Sequence, residues 1–237
     1  MPTVSVIVNC YNGARFLRPA LESVLTQTYQ NWEIVFIDNC STDETPMIAQ
    51  SYGGRLRYHR TDRTLPLYAA RNIALEQASG EYVAFLDADD IWQPDKLENQ
   101  LDRLAGGCPL IFTRAAFINE AGGYLDRPGI HYYRGCVTSR LFVRNFISIS
   151  SVLMRTHLAR ELRFNERYNL LGDQDMWLRL SMGHCVDYVD EPLTLIRLHP
   201  GSTSVSESQR WVRERRDLYL RYLCRYGLRY PAILVFI

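Results

Sequence analysis

Tyr82-Val83-Ala84-Phe85-Leu86-Asp87-Ala88-Asp89-Asp90 is a mostly apolar run that ends in three carboxylates within four positions. Its first five residues read as a strand buried on both faces, as in a parallel sheet. The acids that follow are then delivered together to the carboxyl edge of the sheet, where open α/β sheets bind their ligands. Crowded carboxylates repel one another, and a divalent cation among them lowers the cost of ionising them. All-oxygen donors suit Mg²⁺ or Mn²⁺, which share their coordination shell with substrate phosphates. The plain alternative is a solvated acidic turn, since Asp is common where strands stop.

Outward from this stretch, strand and helix signals alternate. Residues 4–8 and 33–37 read as strands, the second ending at Asp38. Between them, Phe16, Leu17, Ala20, Leu21, Val24 and Leu25 keep to one helical face. Ser41-Thr42-Asp43-Glu44 matches a capping box, so a helix is expected to run to about Tyr52, before Gly53-Gly54. A strand over 56–60 and a helix over 67–78 precede the acidic stretch. Pro94 suits the first turn of a helix through Leu104, and 110–113 reads as a strand. Residues 115–145 lack clear periodicity and read as loops shaping a specificity site. Strand character returns over 146–154, and 173–182 reads as a helix. Parallel strands need crossover connections, so the expected fold is α/β, with a mainly parallel central sheet, helices on both faces and a helical C-terminal appendage.

The 237 residues suffice for one large domain, expected over 1–205 and followed by a basic, amphipathic extension over 206–237. Apolar residues make up 47% and charged residues 22%, as in ordinary globular chains. A net charge of +1 gives no sign of a nucleic-acid partner. The six cysteines are scattered with no Cys-x-x-Cys pair, against zinc and against a dense disulfide framework; a reducing cytoplasm is expected. No signal peptide or membrane-spanning run is expected either.

Four segments now line up: Val4-Ser5-Val6-Ile7-Val8-Asn9-Cys10-Tyr11-Asn12, Asp38-Asn39-Cys40-Ser41-Thr42-Asp43, Phe85-Leu86-Asp87-Ala88-Asp89-Asp90 and Gly172-Asp173-Gln174-Asp175-Met176-Trp177-Leu178-Arg179. In order and spacing they resemble glycosyltransferase family 2, inverting enzymes of the GT-A fold that use nucleotide-sugar donors. The resemblance covers roughly residues 3–205. It implies that Asn9 and Tyr11 pack on the nucleotide base, that Asp38 accepts a hydrogen bond from a uracil-type N–H, and that Arg71 lies near base and diphosphate, where a permanent planar cation is apt. Asp87-Ala88-Asp89 matches the Asp-x-Asp motif, whose first acid faces the ribose and whose last binds Mn²⁺ or Mg²⁺; Asp90 shares the metal role in one reading. Trp92 lies near the acceptor or is simply packed. Asp173 matches the general base, with Gly172 replacing the family's Glu, and Asp175 is the next candidate. Arg197-Leu198-His199-Pro200-Gly201-Ser202-Thr203-Ser204 resembles the closing segment, whose His approaches the metal or diphosphate.

The implied activity is transfer of a sugar from a nucleotide-diphosphate donor, expected to be a UDP-sugar, to a hydroxyl of a saccharide or lipid-linked acceptor in polysaccharide or cell-envelope synthesis. A sugar-phosphate nucleotidyltransferase or a dinucleotide oxidoreductase calls for a Gly-rich loop after the first strand, and 9–15 contains one Gly. A catalytically silent nucleotide-sugar-binding module is the rival from another class. Residues 207–237 carry seven Arg against three acids. Leu218, Tyr219, Tyr222, Leu223 and Tyr226 follow helical spacing, which supports peripheral contact with the inner face of the membrane through this helix and the apolar end 232–237. The same stripe equally suits packing on the catalytic domain or on a second copy as a homodimer.

Overall fold

A computed structural model describes residues 3–127, 129–202 and 208–226. Strands β1 (Val4–Cys10), β2 (Trp32–Asp38), β3 (Leu56–Arg60) and β4 (Tyr82–Asp87) are all parallel, in the order β3-β2-β1-β4. Helices α1 (Ala14–Leu25), α2 (Thr45–Gln50) and α3 (Leu67–Gln77) make the crossovers. The register aligns the strand ends: Cys10 lies opposite Asp38, and Asn9 opposite Asp87. Three sequence-distant segments therefore finish at one edge.

Beyond β4 the sheet becomes mixed. Strand β8 (Val152–Arg155) runs antiparallel beside β4, followed by β6 (Leu110–Ile118), β9 (Val186–Arg197) and the short β5 (Ile91–Trp92), with β7 (Tyr124–Leu125) paired to β6. "Mainly parallel" thus holds for the first half, where βαβ units dictate it, and not for the second. Alternating side chains divide the core: Val6 and Val8 pack with Leu17, Leu21 and Trp92 on one face, while Ile7, Ile37 and Phe85 pack with Trp177 and Leu218 on the other. Each fully buried side chain of this kind stabilises by about 1.5–3 kcal/mol.

Several elements depart from expectation. Phe16 stands at 4.8 Å from the His199 ring and Leu25 is exposed, so the buried face of α1 is narrower than its apolar spacing. Residues 146–154 supply only the first three residues of β8, preceded by a 3-10 turn over Ile149–Ser151. Strand β9 has no clear sequence signature, because Asp187, Asp190, Glu191 and Pro192 interrupt its pattern. Its pairing with β6, across a bulge between Thr113 and Ala115, supplies the order that local pattern does not. The 115–145 stretch also contains a helix, α5 (Thr138–Val143). Cys108 and Cys185, 77 residues apart, form a disulfide with Cα atoms 5.3 Å apart, a single bridge that spacing could not indicate.

The C-terminal helix, numbered α8 here (Ser208–Tyr226), packs on the rest of the chain. Leu218, Tyr219 and Tyr222 are buried in the same core as α5 and α7 (Gly172–Ser181). The Tyr219 hydroxyl donates to the Phe142 carbonyl at 2.5 Å and the Tyr222 hydroxyl to Asp175 at 3.2 Å. Of the readings of the apolar stripe, packing on the domain is the one that Leu218, Tyr219 and Tyr222 make. The apolar end 232–237 and the side chain of Tyr226 lie outside the described residues. Among the described residues, no helix is long and apolar enough to cross a membrane.

Candidate active site

The acidic turn after β4 opens onto a cavity of about 1100 Å³, lined also by the β1 and β2 ends, α3, the first turn of α7, the 197–202 segment and the start of α8. Ligand pockets typically span roughly 300–1,000 Å³, so this one stands at the upper end of that range. Asn9, Tyr11, Arg71, Asp87, Ala88, Asp89, Asp173 and His199 all line it. Asn9 presents a buried Oδ1 with no hydrogen-bond partner among the described residues, an arrangement that favours a ligand donor. Tyr11 is exposed at the rim.

Asp38 is the exception. Its fully buried carboxylate accepts from the Ser41 N–H at 2.8 Å and the Tyr58 hydroxyl at 2.6 Å, and pairs with the Arg60 guanidinium. It does not line the cavity. An acid at the end of β2, with Arg60 on the adjacent strand, gains more from that pairing than from standing unpaired at the edge. The expected contact with a nucleotide base is therefore not what this side chain makes here; Asn39, beside it, does line the cavity and is held by reciprocal bonds to the Leu65 backbone.

The three acids of the turn divide their tasks. Asp87 pairs with Arg71, whose buried guanidinium also lies over the Tyr68 ring at 5.2 Å. Asp89 faces His199, with Nε2 and Oδ2 2.9 Å apart. Burial, then the neighbouring Asp87 charge, raises its pKa, with His199 opposing. Asp90 is turned inward, accepting from the Ser150 hydroxyl at 2.5 Å and the Arg197 N–H at 2.9 Å. Burial and the other two acids hold its pKa well above the carboxylate range. Sharing a metal is therefore the lesser fit for Asp90, since both its oxygens already anchor the turn. Arg197, not singled out from sequence, completes that anchor by donating to the carbonyls of Asp89, Asn119 and Glu120. Trp92 is buried, donating to the Ser150 carbonyl, and is part of the core.

Among the described residues, no group of three or more His, Cys, Asp or Glu side chains is arranged as a ready metal cage. The donor set nonetheless fits a hard cation. Asp89 and His199 converge beside Asp87, and Mg²⁺ in particular takes only one or two carboxylates from the protein and the rest from phosphate and water.

Asp173 sits in the first turn of α7. Its oxygens lie 3.3 Å from the Tyr68 hydroxyl, 3.2 Å from Asn145 Nδ2 and 2.7 Å from the Gln174 N–H. Burial pushes the carboxyl up to about 6, with the Gln174 N–H and Arg71 partly opposing. Gly172 has a steric cause: a Cβ there would meet the Tyr68 ring at 2.5 Å. The space a Glu side chain would need is filled by Tyr68, whose hydroxyl reaches the neighbouring Asp173. Asp175 is instead taken up by Arg179, at 2.8 Å, and by Tyr222.

Glu214 of α8, also unmarked in the sequence, accepts from the backbone N–H groups of Asn169 and Leu170 at 2.8 Å and of Leu171 at 3.1 Å. The Tyr168 hydroxyl donates to Asp217 at 3.0 Å. Helix α8 thus grips the segment leading into Asp173, while Tyr222 grips the α7 turn after it.

Residues 5–163 match the model of the family described as "Glycosyl transferase family 2". The chain belongs to that family. A putative teichuronic acid biosynthesis glycosyltransferase, TuaG of Bacillus subtilis, is 40% identical over 130 residues, covering 53% of this chain and 52% of the relative. The chain thus spans about half the length of that relative. S. aureus TarS in complex with UDP-GlcNAc superposes with a TM-score of 0.78 at 22% identity, covering 94% of this chain and 67% of that one. A mannosyltransferase of Pyrobaculum calidifontis in complex with GDP-Man and Mn²⁺ gives 0.68 at 20% identity, covering 94% and 64%. These likenesses give this family member the GT-A fold. The family match ends before Asp173.

Proposed function

We propose that this chain is an inverting glycosyltransferase that moves a sugar from a UDP-sugar to a hydroxyl of a saccharide or lipid-linked acceptor in envelope polysaccharide synthesis. One observation carries the reading: an acidic turn with an arginine, and a separate carboxyl pushed up to about 6, face a single cavity in a family 2 chain. The relative named for teichuronic acid biosynthesis supports the substrate class.

In the proposed reaction the acceptor hydroxyl is held beside Asp173. Its oxygen attacks C1 of the donor sugar as Asp173 takes the proton, and the C1–O bond breaks with its electron pair leaving on the nucleoside diphosphate. Single displacement from the opposite face inverts the anomeric centre. Asn145 and Tyr68 orient the base. Arg71 holds Asp87 and keeps a positive charge near the leaving diphosphate, where negative charge develops. Asn9 and Tyr11 receive the nucleotide. Mn²⁺ or Mg²⁺, which Asp89 and His199 would hold with Asp87 nearby, supplies Lewis-acid stabilisation to the diphosphate when bound.

Thermal shift against a panel of nucleotide-sugars with Mn²⁺ tests the donor assignment, since a ligand that binds only the folded state raises the melting temperature. A UDP-sugar is expected to give the largest rise. Transfer or donor hydrolysis then separates an enzyme from a module that binds and stops.

A further inference from the structure

The cavity changes character past Asp173. On the near side its charges are matched: Arg71 pairs with Asp87, Arg15 with Glu120, and Arg197 is spent on backbone carbonyls. Beyond Asn145, which touches Asp173, the wall includes Val143, Arg144, Trp211 and Arg215, and among the described residues it contains no acid. Arg144 donates to the Gly129 carbonyl at 3.0 Å. Arg215 donates to the Tyr219 hydroxyl at 3.0 Å and the Val143 carbonyl at 3.3 Å, and its guanidinium lies 4.7 Å from the Trp211 ring centroid. Neither arginine makes an ion pair among the described residues. The closest acid of α8, Glu214, does not line the cavity and is turned to the 169–171 amides.

This pattern differs from solvated surface charge in two ways. The guanidiniums are fixed by neutral oxygens, so they are oriented without being neutralised. A guanidinium has five N–H donors, and the bonds above use only one or two of them. Trp211, 38% exposed, adds an aromatic face of the kind on which a sugar ring packs. The wall also continues from the base. An acceptor hydroxyl must come within hydrogen-bond reach of Asp173, and with the donor on the acidic side, the rest of the acceptor extends toward Arg144 and Arg215.

Resting on the transferase reading, we infer that Arg144, Arg215 and Trp211 form an acceptor subsite for a saccharide that carries an oxyanion, phosphate or carboxylate, close to the hydroxyl being glycosylated. Guanidinium forks match both groups bidentately. The subsite selects acceptors by charge, which the donor side of the cavity does not do.

The test is calorimetry on the full chain saturated with UDP and Mn²⁺, titrated with glucose 1-phosphate, glucuronate and the neutral methyl glucoside. At low salt at least one anionic probe binds about tenfold or more tighter than the neutral one, the scale of a hydrogen bond to a charged group. That preference falls toward unity in Arg144→Gln/Arg215→Gln and is partly kept in Arg144→Lys. Stronger binding of glucose 1-phosphate assigns a phosphate-bearing acceptor, and of glucuronate a uronic acid. Equal binding of charged and neutral probes, no binding of either anion, or a preference unchanged in the double variant overturns the inference. If the double variant does not fold, exposed Arg144→Gln alone carries the comparison with a smaller loss. Failure of UDP to bind the wild type refutes the donor assignment instead, and the charge preference is then read without UDP.

Discussion

The two ends of the cavity are built in opposite ways. The acidic end is made by strands that finish together: β1 and β4 bring Asn9 and the Asp87–Asp90 turn to one edge through parallel pairing. The Asp173 end is made by contacts between elements far apart in the chain. Asp173 meets Tyr68 from 105 residues away, and Glu214 of α8 holds the backbone just ahead of it. A sheet edge is placed by many backbone hydrogen bonds at once, whereas the Asp173 end rests on a few side chains. Single substitutions should therefore act differently at the two ends.

The largest effect is expected at Asp173. Asp173→Asn keeps the shape and loses the basicity, so transfer falls on the order of 10²- to 10⁴-fold while donor affinity changes little. Wild-type turnover in this variant would refute the base assignment. The carboxyl at about 6 also fixes the pH dependence: transfer by the wild type rises through about pH 6 and then levels, because only the ionised form accepts a proton. The stability effect runs the other way. A folded-state pKa above the unfolded value of about 3.9 means that the native state binds the extra proton, so this contribution is present below about pH 4 and is lost as pH rises through about 6. Urea melts at the two ends of that window should show a smaller loss in Asp173→Asn than in wild type.

At the acidic end, Asp89→Ala should weaken the metal-dependent part of UDP binding by on the order of 10- to 100-fold, since even partners of metal ligands are worth that much. Calorimetry with and without Mn²⁺ reads it. Equal affinities in all four conditions would remove the cation from this end. Next in size is Glu214→Ala, which leaves three backbone N–H groups without their acceptor and should destabilise by about 1–3 kcal/mol. Transfer should fall as well, with donor affinity kept, because the lost contact lies on the path to Asp173. If donor binding and transfer fall together, the two ends are not separable in the way drawn here.

The smallest expected effect is Tyr68→Phe. The ring still fills the space above Gly172, and only the hydroxyl's contacts are lost, at 3.3 Å to Asp173 and 3.5 Å to the Leu170 carbonyl, worth about 0.5–1.5 kcal/mol. The bond to Asp173 favours the ionised carboxylate, so the acid limb of the pH–rate profile should move up and the melting temperature should barely change. An unmoved limb would make Tyr68 a packing residue only.

The acidic end was legible in the sequence because strand and turn signals are local: an apolar run and a Gly-bounded crossover specify where each chain segment stops, whereas the capping box read over 41–44 is not formed, α2 starting at Thr45 with no side-chain cap. Asp87, Asp89 and Asn9 were placed by that logic, and the family resemblance added Arg71 and His199. Asp38 shows its limit, since the strand end was located correctly while the partner of its carboxylate, Arg60, depends on how β3 pairs with β2. Strand β9 shows the same from the other side: its stability comes from β6, and its own pattern is broken by acids and a proline.

The sequence by itself determined the parallel half of the sheet and the acidic turn at its edge, because each is written in contiguous residues whose periodicity or order is enough. Tertiary structure alone decided which acids face the cavity, why position 172 has no side chain, and that α8 is committed to the core and to the 169–171 backbone. Those outcomes are competitions between distant partners for the same group: Arg60 or the cavity for Asp38, Ser150 and Arg197 or a cation for Asp90, the domain or a lipid surface for Leu218 and Tyr222. Only the folded geometry sets which partner is near enough to win, and electrostatic and packing energies fall off too steeply with distance for sequence order to stand in for it.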